Sequence, residues 1–255
     1  MKKSSIPISV IILTHRNDSR FQKALASAQP ASEVLVVDYH SDNDWKKLKK
    51  AHHFNLVKRS GPIENFAKER NFALKKAKYD WVFFLDSDEE IIADSWQEIE
   101  SLLQDKQTEE IDGFFVQRND VFYNKVLKFG ETGGAQFLRM IRKEKAQYLR
   151  PIHESAEVPG ITEHSTIQLN HYAHQDITEF IKDITHYSSL EAEYQKDSDL
   201  SELQLGVKTI VYPKAKFLHN YFIKLGFLDG WRGLVYAIAM SLHSLMVRVF
   251  SYENS

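Results

Sequence analysis

Apolar residues in the first hundred positions fall into short, nearly all-apolar runs, each closed at its carboxyl end by polar side chains. Residues 8–13, 33–38 and 81–85 are such runs, rich in Val, Ile, Leu and Phe. A run of this length and composition reads as a strand buried on both faces of a sheet. Helical patterns separate them at 19–27, 44–52 and 63–77, with a short strand at 55–58 and a further helix at 95–105. The alternation predicts an α/β fold, a mostly parallel sheet flanked by helices. Beyond residue 105 the pattern changes. Residues 113–118, 121–129 and 136–141 predict strands spaced closely enough to be antiparallel, and 166–171 predicts one more. From 176 onwards the chain reads as helical, at 177–194 and 206–210, ending in an apolar tail over 217–250. No repeat or flexible linker interrupts it. The expected organisation is one α/β domain over 1–175 and a helical C-terminal extension over 176–255, packed directly on it.

Composition narrows the classes. In 255 residues, 33 Lys and Arg face 35 Asp and Glu, a net charge of −2 that favours no nucleic acid partner. The chain has no cysteine, which removes disulfides, thiolate metal sites and cysteine nucleophiles and fits a cytoplasmic location. The N-terminal apolar run leads straight into His15, Arg16, Asn17 and Asp18 without a small-residue cleavage site, so it reads as a strand and not as a signal peptide. No segment collects the roughly 18 consecutive apolar residues of a bilayer span, and none is expected to cross one.

The chemistry concentrates at the strand ends. The run at 81–85 delivers Asp86, Ser87, Asp88, Glu89 and Glu90. In open α/β sheets ligands sit outside the carboxyl ends of the strands, where Asp86 and Asp88 can share a divalent cation, Mg²⁺ or Mn²⁺, and leave room for phosphate oxygens. The alternative is an acidic loop that caps the next helix, a role for which Asp94 or Ser95 is better placed. Thr14 closes the first run and Asp38 the second. Asp38 either accepts hydrogen bonds from a nucleoside or is ordinary loop polarity. In the helix at 63–77, Arg70 lies at the margin of the apolar face. It either offers planar donors to a diphosphate or extends to solvent. Among His164, His171 and His174, His171 ends an apolar strand and either completes a metal site with Asp88 or is structural. No His-Glu-x-x-His spacing of a zinc hydrolase is present. The tail at 217–250, aromatic and basic with about 15 uncharged residues from Gly233, reads as too short to span. It either packs into a core or subunit contact, or lies in a membrane interface.

Several of these segments together resemble the family-2 inverting glycosyltransferases of the GT-A fold. They are Ile8-Ser9-Val10-Ile11-Ile12-Leu13-Thr14, Val36-Val37-Asp38, Asn65 through Asn71, and Asp86-Ser87-Asp88. The Arg70-Asn71 pair, the run from Asp86 to Glu89 and the His153-Glu154 pair are most similar to bacterial lipopolysaccharide-core glucosyltransferases. The chain departs from many members at Glu69 and Ala73, where Ala and Gly are common. The resemblance implies a nucleotide-sugar donor, a UDP-sugar foremost, and a saccharide or lipid-linked saccharide acceptor at the inner face of the cytoplasmic membrane. It further implies that Thr14 and Asp38 hold the nucleoside and Arg70 the diphosphate. Asp88 holds the metal with Asp86 assisting, and Glu154 is the general base, while His171 is a further ligand that the residues alone leave open. The residues alone equally allow Glu154 to be a surface carboxylate. A nucleotidyltransferase acting on sugar phosphates would bring a glycine-rich loop after the first strand, but residues 15–20 hold no glycine. A non-catalytic nucleotide-sugar-binding protein would not need Glu154.

Overall fold

The computed structural model describes residues 5–16, 18–39, 41–61, 65–149, 155–174, 176–194 and 202–253. By its internal contacts the chain forms two units, one of residues 1–118 and 135–171 and one of residues 119–134 and 172–255.

In the first unit, β1 (Ile6–Thr14), β2 (Ala31–Tyr39), β3 (Asn55–Arg59) and β4 (Trp81–Asp86) form a parallel sheet in the order β3-β2-β1-β4. It continues antiparallel into β8 (Gln136–Arg142) and then β6 (Ile111–Phe122). Next in order come β11 (Ile161–His171) and β5 (Glu89–Ile91). This is the expected α/β class. Alternate residues of the apolar runs serve the two faces. Ile8, Val10 and Ile12 pack with Phe21 and Leu25 of α1 (Ser19–Ser27) and Trp96 and Ile99 of α4 (Ser95–Gln104). Ile11, Val37 and Phe84 pack with Ala67, Ala73 and Leu74 of α3 (Phe66–Lys76). The remaining helix of this region is α2 (Trp45–Ala51).

Several boundaries differ from the sequence reading. Helix α3 begins at Phe66 because the Asn65 side chain accepts the Lys68 N–H at 2.9 Å and caps it. Neither Asp94 nor Ser95 caps α4. Asp94 already has helical backbone angles, and the Ser95 hydroxyl instead donates to Gln168 O at 3.0 Å and accepts its N–H at 2.9 Å. The strands expected at 113–118 and 121–129 are one strand, β6, which turns back at Tyr123-Asn124 into β7 (Lys125–Val126). Both turn residues take positive φ (46° and 60°), the geometry of a two-residue hairpin turn. Residues 89–91, to which the sequence pattern assigns no element, are β5, paired antiparallel with the end of β11. A short hairpin of β9 (Gln147–Leu149) and β10 (Ser155–Glu157) completes the unit.

The second unit contains β7, α5 (Ile177–Tyr194), α6 (Glu202–Leu218) and α7 (Trp231–Glu253). Phe122, Leu127, Phe180, Ile184 and Ala239 form its core. The expectation that the tail is too short to span is corrected by α7. Its 23 residues rise about 34 Å, making it the one described helix long and apolar enough to cross a membrane by length and composition. Counting uncharged residues between Gly233 and Val247 missed this, because the helix runs past Arg248 to Glu253.

Candidate active site

The parallel register brings the strand-end residues to one edge. Thr14 stands opposite Asp38, and Leu13 opposite Asp86. Thr14 is fully buried, and its hydroxyl donates to Arg16 O (3.3 Å) and accepts the Arg16 N–H (3.0 Å). Its side chain therefore shapes the loop after β1. Asn43 ties that loop to the one after β2, donating to Arg16 O at 2.6 Å and to Ser41 Oγ at 2.8 Å. Asp38 Oδ1 accepts the Ser41 N–H at 2.9 Å and the Ser41 hydroxyl. Its Oδ2 accepts no hydrogen bond from the described residues.

Arg70 does not extend to solvent. It is 6% exposed, its guanidinium lies over the Phe84 and Tyr148 rings (5.2 and 5.4 Å), and it donates to Asp86 Oδ1 at 2.7 Å. The neighbouring Asn71 amide donates to Tyr148 O (2.8 Å) and accepts the Tyr148 N–H (2.9 Å), fastening β9 to α3. The two residues of the Arg-Asn pair thus face different tasks.

Arg139 of β8 is a participant the sequence reading missed. Because β8 is antiparallel to β4 with Met140 opposite Phe83, Arg139 comes next toward the carboxyl end of β4. It donates to Asp86 Oδ2 at 2.7 Å and to Glu89 Oε1 at 2.6 Å. Glu89 is wholly buried and its other oxygen accepts the Asp86 N–H at 2.9 Å. Burial alone would raise the Asp86 pKa, but Arg139 and Arg70 together hold it far below the usual carboxylate range. Burial pushes Glu89 upward past what Arg139 offsets, and the Asp86 carboxylate adds to the rise. A charged residue between half-buried Leu138 and buried Met140 was the available signal, since a buried charge requires a partner.

Asp88 lies in the tight turn, Ser87-Asp88, between β4 and β5. Its Oδ2 accepts from Arg16 at 3.1 Å, and its Oδ1 lies 3.9 Å from His171 Nε2. The β5–β11 pairing causes this proximity by setting His171 opposite Glu89. The other two histidines of the sequence cluster go elsewhere. His164 stacks on Phe115, and His174 stacks on Phe180 and approaches Asp183 Oδ2 at 3.0 Å. Among the described residues no three His, Asp, Glu or Cys side chains are grouped to hold a metal ion by themselves. Asp88 Oδ1 and His171 Nε2 fit two positions around one cation whose remaining ligands are phosphate oxygens and water, whereas both Asp86 oxygens already face guanidinium groups. Glu154 and His153 lie outside the described residues, between Leu149 of β9 and Ser155 of β10.

Beside Asp38, the Tyr39 hydroxyl donates to Glu69 Oε2, and Arg59 donates to both Glu69 oxygens at 3.0 and 3.1 Å. The unusual Glu69 thus joins the ends of β2 and β3 to α3. Burial works to raise its pKa, but Arg59 and Tyr39 lower it below 4.5. A depressed carboxylate contributes stability above its unfolded pKa and loses it as pH falls through the folded one. Thermal melts of Glu69→Gln should therefore show a shallower loss of stability than wild type as pH falls below about 4.5. Tyr39→Phe should cost about 1.5–3 kcal/mol near neutral pH, the range for a hydrogen bond to a charged group. Parallel pH profiles for Glu69→Gln and wild type would rule out this linkage.

A family model described as glycosyl transferase family 2 matches residues 9–161, more than half of the chain. The lipopolysaccharide core biosynthesis glycosyltransferase LpsC of Rhizobium meliloti is 24% identical, over 91% of this chain and 89% of its own length. An uncharacterised glycosyltransferase of Rickettsia prowazekii is also 24% identical, over 97% of this chain and 88% of its own. Among solved structures, residues 1–349 of S. aureus TarS in complex with UDP-GlcNAc align with 98% of this chain and 91% of that one, at 13% identity and a TM-score of 0.47.

Proposed function

The chain belongs to glycosyl transferase family 2, and from that premise we propose that it is a metal-dependent inverting hexosyltransferase. Its donor is a nucleotide-diphosphate sugar, a UDP-sugar foremost. Its acceptor is a saccharide, free or lipid-linked, in the synthesis of lipopolysaccharide or another cell-surface glycan. The similarity to LpsC supports the last point. The observation that carries the reading is the convergence of Asp38, Asp86 and Asp88 on one sheet edge, with Arg16, Arg70 and His171 around them. Absence of cysteine and a nucleotide-sugar donor both suit a cytoplasmic reaction.

In this proposal Asp38 Oδ2 accepts a hydrogen bond from the nucleoside, and Thr14 sets the loop that lies against it. Arg16 and Arg70 face the diphosphate. Asp88 and His171 hold Mg²⁺ or Mn²⁺, with Asp86 alongside, oriented by Arg70 and Arg139. A bound cation supplies neutralisation of the charge that develops on the departing diphosphate. Glu154 accepts the proton of the acceptor hydroxyl. That oxygen bonds to the anomeric carbon on the face opposite the breaking bond to the diphosphate, and the anomeric centre inverts. A groove of about 510 Å³ along α3, lined by Asn65, Lys68, Asn71, Lys75, Tyr148 and Leu149, is the place we assign to the acceptor.

Incubation with Mn²⁺ and a panel of nucleotide-sugars tests the class and the donor together. Slow release of nucleoside diphosphate from one donor is the expected result, and release from none would reject the reading. Asp88→Ala should abolish Mn²⁺-dependent nucleotide binding, read by calorimetry. The fold should change by about 1 kcal/mol or less, because the Arg16 pair is partly solvated. Full activity after exhaustive chelation would exclude the metal role.

A further inference from the structure

The second unit presents an apolar tip that its own core does not use. After α6 the chain makes a π-helical turn over His219–Ile223 and a 3-10 turn over Gly226–Asp229 before α7. Phe222, Ile223, Leu225, Phe227, Leu228 and Trp231 are all exposed along this stretch, Ile223 at 72%. The backbone holds them there. Gly130 N–H donates to Lys224 O at 2.9 Å and Lys224 N–H to His219 O at 2.8 Å, while Leu225 takes a left-handed φ of 57°. That conformation is unfavourable for a bulky residue, and the Leu225 side chain is 43% exposed. Exposed apolar surface of this kind marks an interaction site.

Charge decides the occupant. From residue 203 to 252 the sequence carries six cations (Lys208, Lys214, Lys216, Lys224, Arg232 and Arg248) and a single acid, Asp229. Asp229 is 4% exposed, and its carboxylate accepts the Lys128 and Phe129 N–H groups at 3.0 and 2.9 Å. Lys216 is paired with Glu131 of the same unit at 2.7 Å, so the segment from Phe222 to Trp231 shows apolar side chains with Lys224 within it and Arg232 directly after it, its one carboxylate turned inward. A protein partner would need an apolar face ringed by acids. A bilayer with anionic headgroups offers both complements at once.

We infer that the segment from Phe222 to Trp231 is a monotopic membrane-docking wedge for anionic bilayers, with its aromatic and aliphatic side chains set into the acyl boundary. Helix α7 lies at the surface and does not span. Its His243 Nε2 is 3.7 Å from Glu191 of α5, and its His243 O accepts from the buried Ser188 of α5. Helix α5 also carries Glu179, Lys182, Asp183 and Glu193, which would have to follow α7 into hydrocarbon. The inference stands on this unit alone and does not depend on the transfer reaction.

Co-sedimentation of the full chain with phosphatidylcholine vesicles, with and without phosphatidylglycerol, tests it. Binding should require the anionic lipid and weaken at least tenfold at high salt, since each Lys or Arg near the surface contributes roughly fivefold. Ile223→Asp with Leu228→Asp should lower binding at least tenfold while the thermal melt stays at the wild-type value, both side chains being exposed. Doxyl-labelled lipid should quench tryptophan fluorescence in wild type and not in Trp231→Phe. Failure to bind anionic vesicles at low salt overturns the inference. So does a solution dimer that the same double substitution dissociates, which would make the tip a subunit interface. Retention on vesicles through high salt and alkaline extraction would instead make α7 a span and overturn the wedge.

Discussion

Glu154→Gln is expected to lower kcat/KM by roughly 10²–10⁴-fold, the usual contribution of a positioned general base, while nucleotide binding stays at the wild-type level. The amide keeps the shape of the carboxylate but cannot accept the acceptor's proton. In wild type, kcat/KM should rise with pH through one apparent pKa above the free glutamate value of about 4.3, because the protonated carboxyl is inactive as a base. The variant should lack that limb. The described strands on either side of residues 150–154 are tied to one another and to α3. Ser155 pairs with Leu149, and Asn71 fastens the adjoining Tyr148 to the helix that carries Arg70. A variant with wild-type rate and pH profile would move the base elsewhere.

Arg139→Met should be the most damaging substitution for the fold, at about 3–5 kcal/mol, because it removes one partner from a buried charge cluster and leaves the others uncompensated. Glu89 is fully buried, Arg139 nearly so, and Arg139 Nη2 serves both Asp86 and Glu89. Methionine fills most of the volume, so the loss reads chiefly as electrostatic. Adding Glu89→Gln to Arg139→Met should recover part of it, since the amide needs no counter-charge. Glu89 has a raised pKa, so its ionisation costs stability as pH climbs above the unfolded value of 4.5. The deficit of Arg139→Met should accordingly shrink toward acid pH. Urea unfolding of the two single variants and the double at several pH values measures all of this. Strictly additive losses would show that Arg139 and Glu89 are not coupled.

Local pattern determined the parallel half of the molecule. Runs such as 10–13 and 81–85 are apolar at every position, and each is closed by a polar side chain. Thr14, Asp38 and Asp86 therefore gather at one edge once the strands lie in register. Tertiary structure decided which charges those residues meet. Asp86 faces two guanidiniums because β8 enters antiparallel beside β4 and brings Arg139 alongside, and Asp88 faces His171 because residues 89–91 pair with β11. These partners lie 53 and 83 positions away in the chain, and no periodicity within one segment encodes strand pairing at that distance. The same holds for Ser95, drawn from a capping role to Gln168 of β11. In the tail, sequence supplied apolar residues and cations, but only the fold turned Asp229 inward and Ile223 outward. Which way a side chain faces depends on what packs beneath it: an apolar run states that surface must be buried, and the tertiary structure selects against what.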